Sequence, residues 1–277
     1  MFTLHNGDCL EYMKTLAPAS VDCVITDPPY GVMKDLAPVF RPNMSSLVRD
    51  VGWDDYSDEE LYNLAFFLAS ESIRFCKDGA TTYFFCSEDS AYIIKKAYMK
   101  AGWHWRMLNI WHKTNPAPVV AGANRPQKAT EGIGMATLGK RNTWNVENGG
   151  KCHNVFDYPI VDPSNRVHPT QKPVALMAEL IERSSNPEMV IFDPFMGSGS
   201  TGVASVESNR HFIGCELSPE YFAIAERRIK ESVFQPSLFT PSNNRVQRTG
   251  GESAANLSLF PAEVESPAKV TRQSTRR

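Results

Sequence analysis

The chain reads as an α/β fold, a sheet with helices on both faces, and three observations point there. Apolar runs bounded by turn residues alternate with longer amphipathic segments. A strand-like run at residues 189–193 leads into a glycine-rich turn and then a helical pattern. Four acidic residues, Asp8, Asp27, Asp193 and Glu216, stand at or near expected strand ends, where ligands of open α/β sheets gather.

Taken in order, strands are expected at residues 21–27, 80–86, 103–111, 189–193 and 211–216. Helices are expected at residues 57–76, 88–101, 173–184, 201–208 and 219–231. Ser57 with Glu60 three residues on is a capping-box signal, and Ser218-Pro219 offers an N-cap with proline in the first turn. Between about residues 115 and 167 the periodicity weakens, and a stretch rich in Asn, Gly, Pro and Lys/Arg reads as an inserted lobe or long loops at the sheet edge. Residues 232–277 are rich in Ser, Pro, Asn, Arg and Gln with little apolar periodicity, and read as a disordered tail.

At 277 residues and 42% hydrophobic content, the chain can bury one substantial core. A net charge of −2 excludes a global basic field, so any nucleic-acid surface has to be local. A local excess does exist. Lys95, Lys96, Lys100, Arg106, Lys113, Arg125, Lys128, Lys140 and Arg141 face one carboxylate, Glu131, with Trp103, Trp105 and Trp111 interleaved. Such a run is by itself as well explained by a solvated face. The six cysteines are scattered without the spacing of a metal knuckle, so no metal site is expected and the thiols read as reduced. With no signal sequence and no bilayer-length apolar run, a cytoplasmic protein is expected.

Asp27-Pro28-Pro29-Tyr30 follows the strand-like run at residues 21–26 directly. The ordinary reading is a strand closing on a proline turn, with Asp27 capping and Tyr30 packing. The functional reading is a rigid pocket: proline fixes φ and removes donors, leaving carbonyls and a carboxylate to accept hydrogen bonds from an amino group beneath an aromatic ring.

Gly197-x-Gly199-x-x-Gly202 matches the dinucleotide fingerprint, and Glu216 ends the next strand, so a nicotinamide-dependent oxidoreductase is one reading. Against it, Asp193-Pro194-Phe195-Met196 separate the strand from the first glycine and put a carboxylate where a pyrophosphate would be repelled. The loop also lacks the lysine of a triphosphate-binding loop. A ligand with ribose, adenine and a cationic amino-acid end but no phosphate suits Asp193 and Glu216 together, and S-adenosylmethionine is that ligand.

Asp193-Pro194-Phe195-x-Gly197-Ser198-Gly199, with Asp27-Pro28-Pro29-Tyr30 upstream and His168-Pro169-Thr170-Gln171-Lys172-Pro173 between them, resembles the beta-type DNA amino-methyltransferases of the N6-adenine and N4-cytosine family. The resemblance implies a Rossmann-like S-adenosylmethionine-dependent methyltransferase fold, circularly permuted, with a mostly parallel seven-stranded sheet. The methyltransferase domain would span residues 1–231, with target recognition in the lobe at about 115–167. It implies Asp27, Pro28, Pro29 and Tyr30 as catalytic residues. Asp8 would contact the adenine end of the cofactor, the lesser alternative being a cap for the helix after it. Asp193, Phe195, Gly197, Ser198, Gly199 and Thr201 would line the methionine and ribose portion, Glu216 the ribose hydroxyls, and His168, Thr170 and Lys172 the methionine end, Lys172 within reach of its carboxylate.

The expected reaction is methyl transfer to the exocyclic N6 of a flipped adenine in double-stranded DNA, with cytosine N4 as the alternative. Asp at the first motif position leans toward adenine. The resemblance also leaves room for a homodimer and for a cognate restriction endonuclease. In the tail, Gln235-Pro236-Ser237-Leu238-Phe239 and Asn256-Leu257-Ser258-Leu259-Phe260 resemble the peptide that docks into the bacterial replication sliding clamp, though the first could instead pack on the last helix.

Overall fold

The computed structural model describes residues 1–28, 57–118, 126–146, 152–168 and 170–234. Pro29, Tyr30, Arg125 and both Leu-Phe strings of the tail lie outside the described residues. The strands are β1 (Phe2–Asn6), β2 (Val21–Thr26), β3 (Cys76–Cys86), β4 (His104–Lys113), β5 (Thr130–Thr137), β6 (Val155–Tyr158), β7 (Val190–Asp193) and β8 (His211–Glu216). The helices are α1 (Cys9–Thr15), α2 (Asp58–Phe75), α3 (Ala91–Ala101), α4 (Val174–Ser184), α5 (Ser200–Glu207) and α6 (Pro219–Phe234).

These strands form one sheet in the order β1-β8-β7-β2-β3-β5-β4-β6. Neighbours are parallel except at β5, which runs against both β3 and β4. Among the described residues the sheet therefore has eight strands, one more than expected, with β6 the short addition at one edge.

Period-two alternation makes the central strands two-faced. Val24, Phe84 and Phe192 face one core with Leu10 and Met13 of α1, Leu61 and Leu68 of α2, and Ile94 and Tyr98 of α3. Cys23, Ile25, Tyr83, Phe85 and Ile191 face the other, with Leu176 and Leu180 of α4, Val203 of α5, and Ala225 and Ile229 of α6. Burial on both faces is what a mostly parallel sheet requires. Ser57 and Glu60 form the full capping box at the start of α2, as the spacing predicts.

Several elements were not foreseen. Residues 130–137 and 155–158, expected within the edge lobe, are strands, and β5 lies inside the sheet between β3 and β4. Gly132 and Gly134 disguise β5, because glycine is depleted in strands. Here glycine is demanded by its neighbours: a Cβ on Gly134 would sit 2.4 Å from the Trp105 ring, and one on Gly132 3.1 Å from Cys86 Sγ. β1 and α1 were also missed, being short segments with mixed polarity. The last helix runs on to Phe234 rather than stopping at 231.

Trp103 and Trp111 are core residues, 2% and 3% exposed, and their indole N–H groups donate to the Ala69 and Tyr158 carbonyls. They are unavailable as the interleaved aromatics of a nucleic-acid surface. Cys9, Cys23, Cys76, Cys86 and Cys215 are buried free thiols, and Cys152 is exposed. Among the described residues no helix is long and apolar enough to cross a membrane.

Phe192 is fully buried in β7 and meets Phe75 edge-on at 5.5 Å between ring centroids. Phe192→Ala should cost about 3–5 kcal/mol of unfolding free energy, measured by urea denaturation. A loss below about 1 kcal/mol would mean that this core does not carry β7.

Candidate functional site

Parallel strands put their carboxyl ends on one edge of the sheet, and the reversed β5 puts its amino end there too. Asp8 after β1, Asp27 after β2, Lys113 at the end of β4, Asp193 at the end of β7 and Glu216 at the end of β8 therefore share that edge with Glu131 at the start of β5.

Asp27 follows the most buried stretch of β2 and is itself only 18% exposed at the side chain. Its Oδ2 accepts from Lys172 Nζ at 2.5 Å. Its Oδ1 is buried and has no hydrogen-bond partner among the described residues. Lys172, two residues before α4, extends between two carboxylates: Nζ lies 3.0 Å from Glu131 Oε1 and 4.9 Å from the Phe85 ring centroid. Glu131 Oε2 in turn pairs with Lys113 Nζ at 2.8 Å, and Lys113 rests 4.9 Å from the Trp111 ring centroid.

Burial pushes the Asp27 carboxyl above the usual carboxylate range, and Lys172 opposes that. Glu131 also meets a burial penalty, but Lys172 and Lys113 outweigh it and hold its carboxyl below the ordinary value. Lys172 is held above the ordinary lysine value by Asp27 and Glu131, against its own burial. The quartet thus pairs two acidic side chains with two lysines. Lys172, expected beside a ligand carboxylate, is instead engaged with Asp27. Glu131 and Lys113 were not among the expected site residues. The signal available was Glu131 standing as the single acid in a basic stretch.

The glycine turn sits beside Asp27. Asp193 Oδ1 accepts from the Phe195 N–H at 3.0 Å and Oδ2 from the Thr201 hydroxyl at 2.5 Å. These two bonds fold the loop back on the strand tip. Burial raises the Asp193 carboxyl to about 7, against the two hydrogen bonds and with added repulsion from Asp27 and Glu216. Gly197 and Gly199 take φ of +51° and +82°, the left-handed region that favours glycine, and Gly199 caps α5. Ser198 is buried, and its carbonyl and hydroxyl accept from Arg228 of α6.

Glu216 braces the same loop. Its Oε2 accepts from the Gly197 N–H at 3.0 Å and its Oε1 from the Ser218 N–H at 2.8 Å. Burial raises its carboxyl nonetheless. Asp8 does cap α1, its Oδ1 accepting from the Leu10 N–H at 2.8 Å. His168 Nδ1 accepts from the Thr170 N–H at 3.3 Å, and its ring packs on Tyr221 with centroids 4.3 Å apart. Burial, and then Lys172, lower the His168 pKa, which favours the neutral ring. The structure thus brings Asp8, Asp27, Asp193 and Glu216 to one edge, with His168 beside Gly197.

The site suits a cationic ligand. A Cβ on Gly197 would meet only the His168 ring, Nε2 at 3.9 Å, in ordinary van der Waals contact. Ser200 Oγ, at the start of α5, is buried without a hydrogen-bond partner among the described residues. Asp27 and Glu216 each add repulsion to the Asp193 carboxyl there.

The family described as DNA methylase matches residues 21–227 of the chain. The chain is 30% identical over 249 residues to the Type II methyltransferase M.HinfI of Haemophilus influenzae, covering 83% of this chain and 68% of that protein. It is 26% identical over 249 residues to the Type II methyltransferase M2.MboI of Moraxella bovis, covering 83% and 88%. Among solved structures it is similar to the M1.HpyAVI complex with SAM, at TM-score 0.65 and 26% identity over 83% of this chain and 99% of that one.

The raised Asp193 carboxyl has a consequence for stability. In the folded protein Asp193 keeps its proton up to about pH 7, whereas the unfolded chain releases it near 3.8. The folded state binds more protons across that window, so this group's contribution falls as pH rises from 3.8 to about 7. In Asp193→Asn, the amide oxygen can still accept from Phe195 while the amide nitrogen donates to Thr201. The melting temperature of the variant minus that of the wild type should rise across this window by more than about 3 °C. A difference that stays flat with pH would show that Asp193 is an ordinary carboxylate.

Proposed function

We propose, taking as premise that this chain belongs to the N6/N4 DNA methylase family and uses S-adenosylmethionine, that it methylates the exocyclic N6 of adenine within a specific DNA sequence. The observation that carries the reading is Asp27: one carboxylate oxygen is held by Lys172 while the other is a buried acceptor without a partner among the described residues.

The exocyclic nitrogen of adenine is a poor nucleophile because its lone pair is delocalised into the ring. In this reading Asp27 Oδ1 and the Pro28 carbonyl each accept one amino hydrogen and turn the lone pair out of the ring plane. Tyr30, outside the described residues, stacks on the base once it has left the duplex. S-adenosylmethionine supplies the electrophilic methyl group on its sulfonium. As the nitrogen gains positive charge, the Asp27 carboxylate stabilises it more than it does the neutral amine.

Gly197, Gly199, Phe195 and Ser198 are proposed to cradle the cofactor, with Asp193 and Thr201 shaping that cradle and His168 and Thr170 closing its methionine side. Glu216 and Asp8 already spend acceptors on backbone N–H groups. Their carboxylates retain lone pairs for ribose and adenine. Lys172 acts from behind Asp27 rather than on the cofactor carboxylate.

The lobe around residues 115–167, less β5 and β6, is proposed to read the DNA sequence. Lys128, exposed just before β5 at the catalytic edge, and Lys96 on α3 suit phosphate contacts, whereas Lys100, Lys140 and Arg141 lie toward the opposite edge, at the end of α3 and beyond the end of β5. Gln127 and Asn142 are held by loop carbonyls. A cognate restriction endonuclease fits the Type II relatives, and the cytoplasm fits such a role.

Replacing Asp27 by Asn leaves the side-chain shape but turns the amide oxygen toward Lys172 and the amide NH2 toward the target amine. Single-turnover methyl transfer should fall on the order of a hundredfold to a thousandfold, with cofactor affinity unchanged. An unaltered rate would refute the acceptor role. Single-molecule sequencing of DNA from cells expressing the protein should find N6-methyladenine at one recognition sequence, and modification at cytosine N4 would refute the adenine assignment. The tail strings are proposed to dock on the sliding clamp. Replacing Leu259 and Phe260 with Ala should weaken binding of the full chain to purified clamp about tenfold or more in titration calorimetry. Unchanged affinity would sink that second docking site.

A further inference from the structure

We infer that Glu131 and Lys113 are positioning residues for methyl transfer, acting on Asp27 through Lys172. The inference rests on the reading of Asp27 as the acceptor of the target amino group. Three contacts join the four side chains: Asp27 Oδ2 to Lys172 Nζ at 2.5 Å, Lys172 Nζ to Glu131 Oε1 at 3.0 Å, and Glu131 Oε2 to Lys113 Nζ at 2.8 Å. Lys172 is 7% and Glu131 9% exposed at the side chain, so water contributes little to holding either charge.

The chain of contacts does two things to Asp27. It holds Lys172 on Oδ2, because Glu131 Oε1 engages the same ammonium group at 3.0 Å. It also tempers the positive charge that Asp27 meets. A carboxylate paired with one full ammonium group is a weak acceptor, whereas an ammonium shared with Glu131 leaves Asp27 more basic. Among the described residues, the charged groups acting on Asp27 come from four directions: Lys172 before α4, Glu131 on β5, Lys113 on β4 and Asp193 on β7. The Phe85 ring of β3 is the apolar wall beside Lys172.

The charges give opposite signs for two substitutions. Glu131→Gln removes a negative charge and should lower the pH at which Asp27 becomes a carboxylate. Lys113→Met removes a positive charge at a side chain 19% exposed and should raise it. Lys172→Met should raise it further, but it strips a buried group of its partner and risks misfolding.

The test is single-turnover methyl transfer from labelled S-adenosylmethionine to genomic DNA of a methylation-deficient host, measured between about pH 5 and 9. The acid limb should move down by about one pH unit in Glu131→Gln and up in Lys113→Met. The plateau rate of Glu131→Gln should fall by about tenfold or more while cofactor affinity holds. Glu131→Asp, which keeps the charge, should leave the acid limb in place. Limbs that stay put in both variants, or move in the same direction, overturn the inference while leaving Asp27 as acceptor intact. A wild-type protein that transfers no methyl group to DNA overturns both.

Discussion

The ion pair between Lys172 and Asp27 is the constraint on which the site depends. Three carboxylates converge at one edge of the sheet, and burial pushes the carboxyls of Asp27, Asp193 and Glu216 upward. Without a buried cation the cheapest response would be protonation, since an isolated buried carboxylate is costly. A protonated Asp27 would offer a donor where an acceptor is wanted. Lys172 offsets that cost at one oxygen and leaves the other open.

The backbone that allows this is the reversed β5. In an all-parallel sheet Glu131 would lie at the far end of its strand from Asp27. Running β5 against β3 and β4 brings its first residues level with the carboxyl ends of its neighbours, where Glu131 pairs across from Trp111. Close approach of the strands then requires the glycines at 132 and 134, since Cβ atoms there would press on Cys86 and Trp105. The same features that make β5 weak as a strand in isolation make it fit this position. On the other side of Asp27, the glycine turn is held by bonds from Gly197 to Glu216 and from Thr201 to Asp193. Acidic side chains thus act as architecture before any ligand is considered.

The amino-acid pattern made β2, β7 and β8 legible because their apolar runs are short, bounded and buried on both faces. Asp27 and Asp193 followed from their places at strand tips. What escaped notice has physical reasons. β5 carries two glycines and a buried charge, so its pattern resembles a loop. Trp103, just before β4, and Trp111, within it, sit among basic residues in sequence but are buried in the two cores on opposite faces of the sheet, across an irregularity in β4 that a simple alternation does not foresee. Lys172 carries the signature of a ligand-binding lysine, and only the fold shows that Glu131 and Asp27 reach it first. Contacts between residues that far apart along the chain leave no local trace.

The central claim is that Asp27 meets the target amine with the oxygen Lys172 does not use. A crystal structure of the protein with duplex DNA and a non-reactive cofactor analogue tests it most directly. The account predicts the exocyclic nitrogen of a flipped adenine about 2.7–3.2 Å from Asp27 Oδ1, with Lys172 still on Oδ2 and Glu131. A flipped base whose amino group makes no contact with Asp27, or one that takes Oδ2 after displacing Lys172, would contradict it.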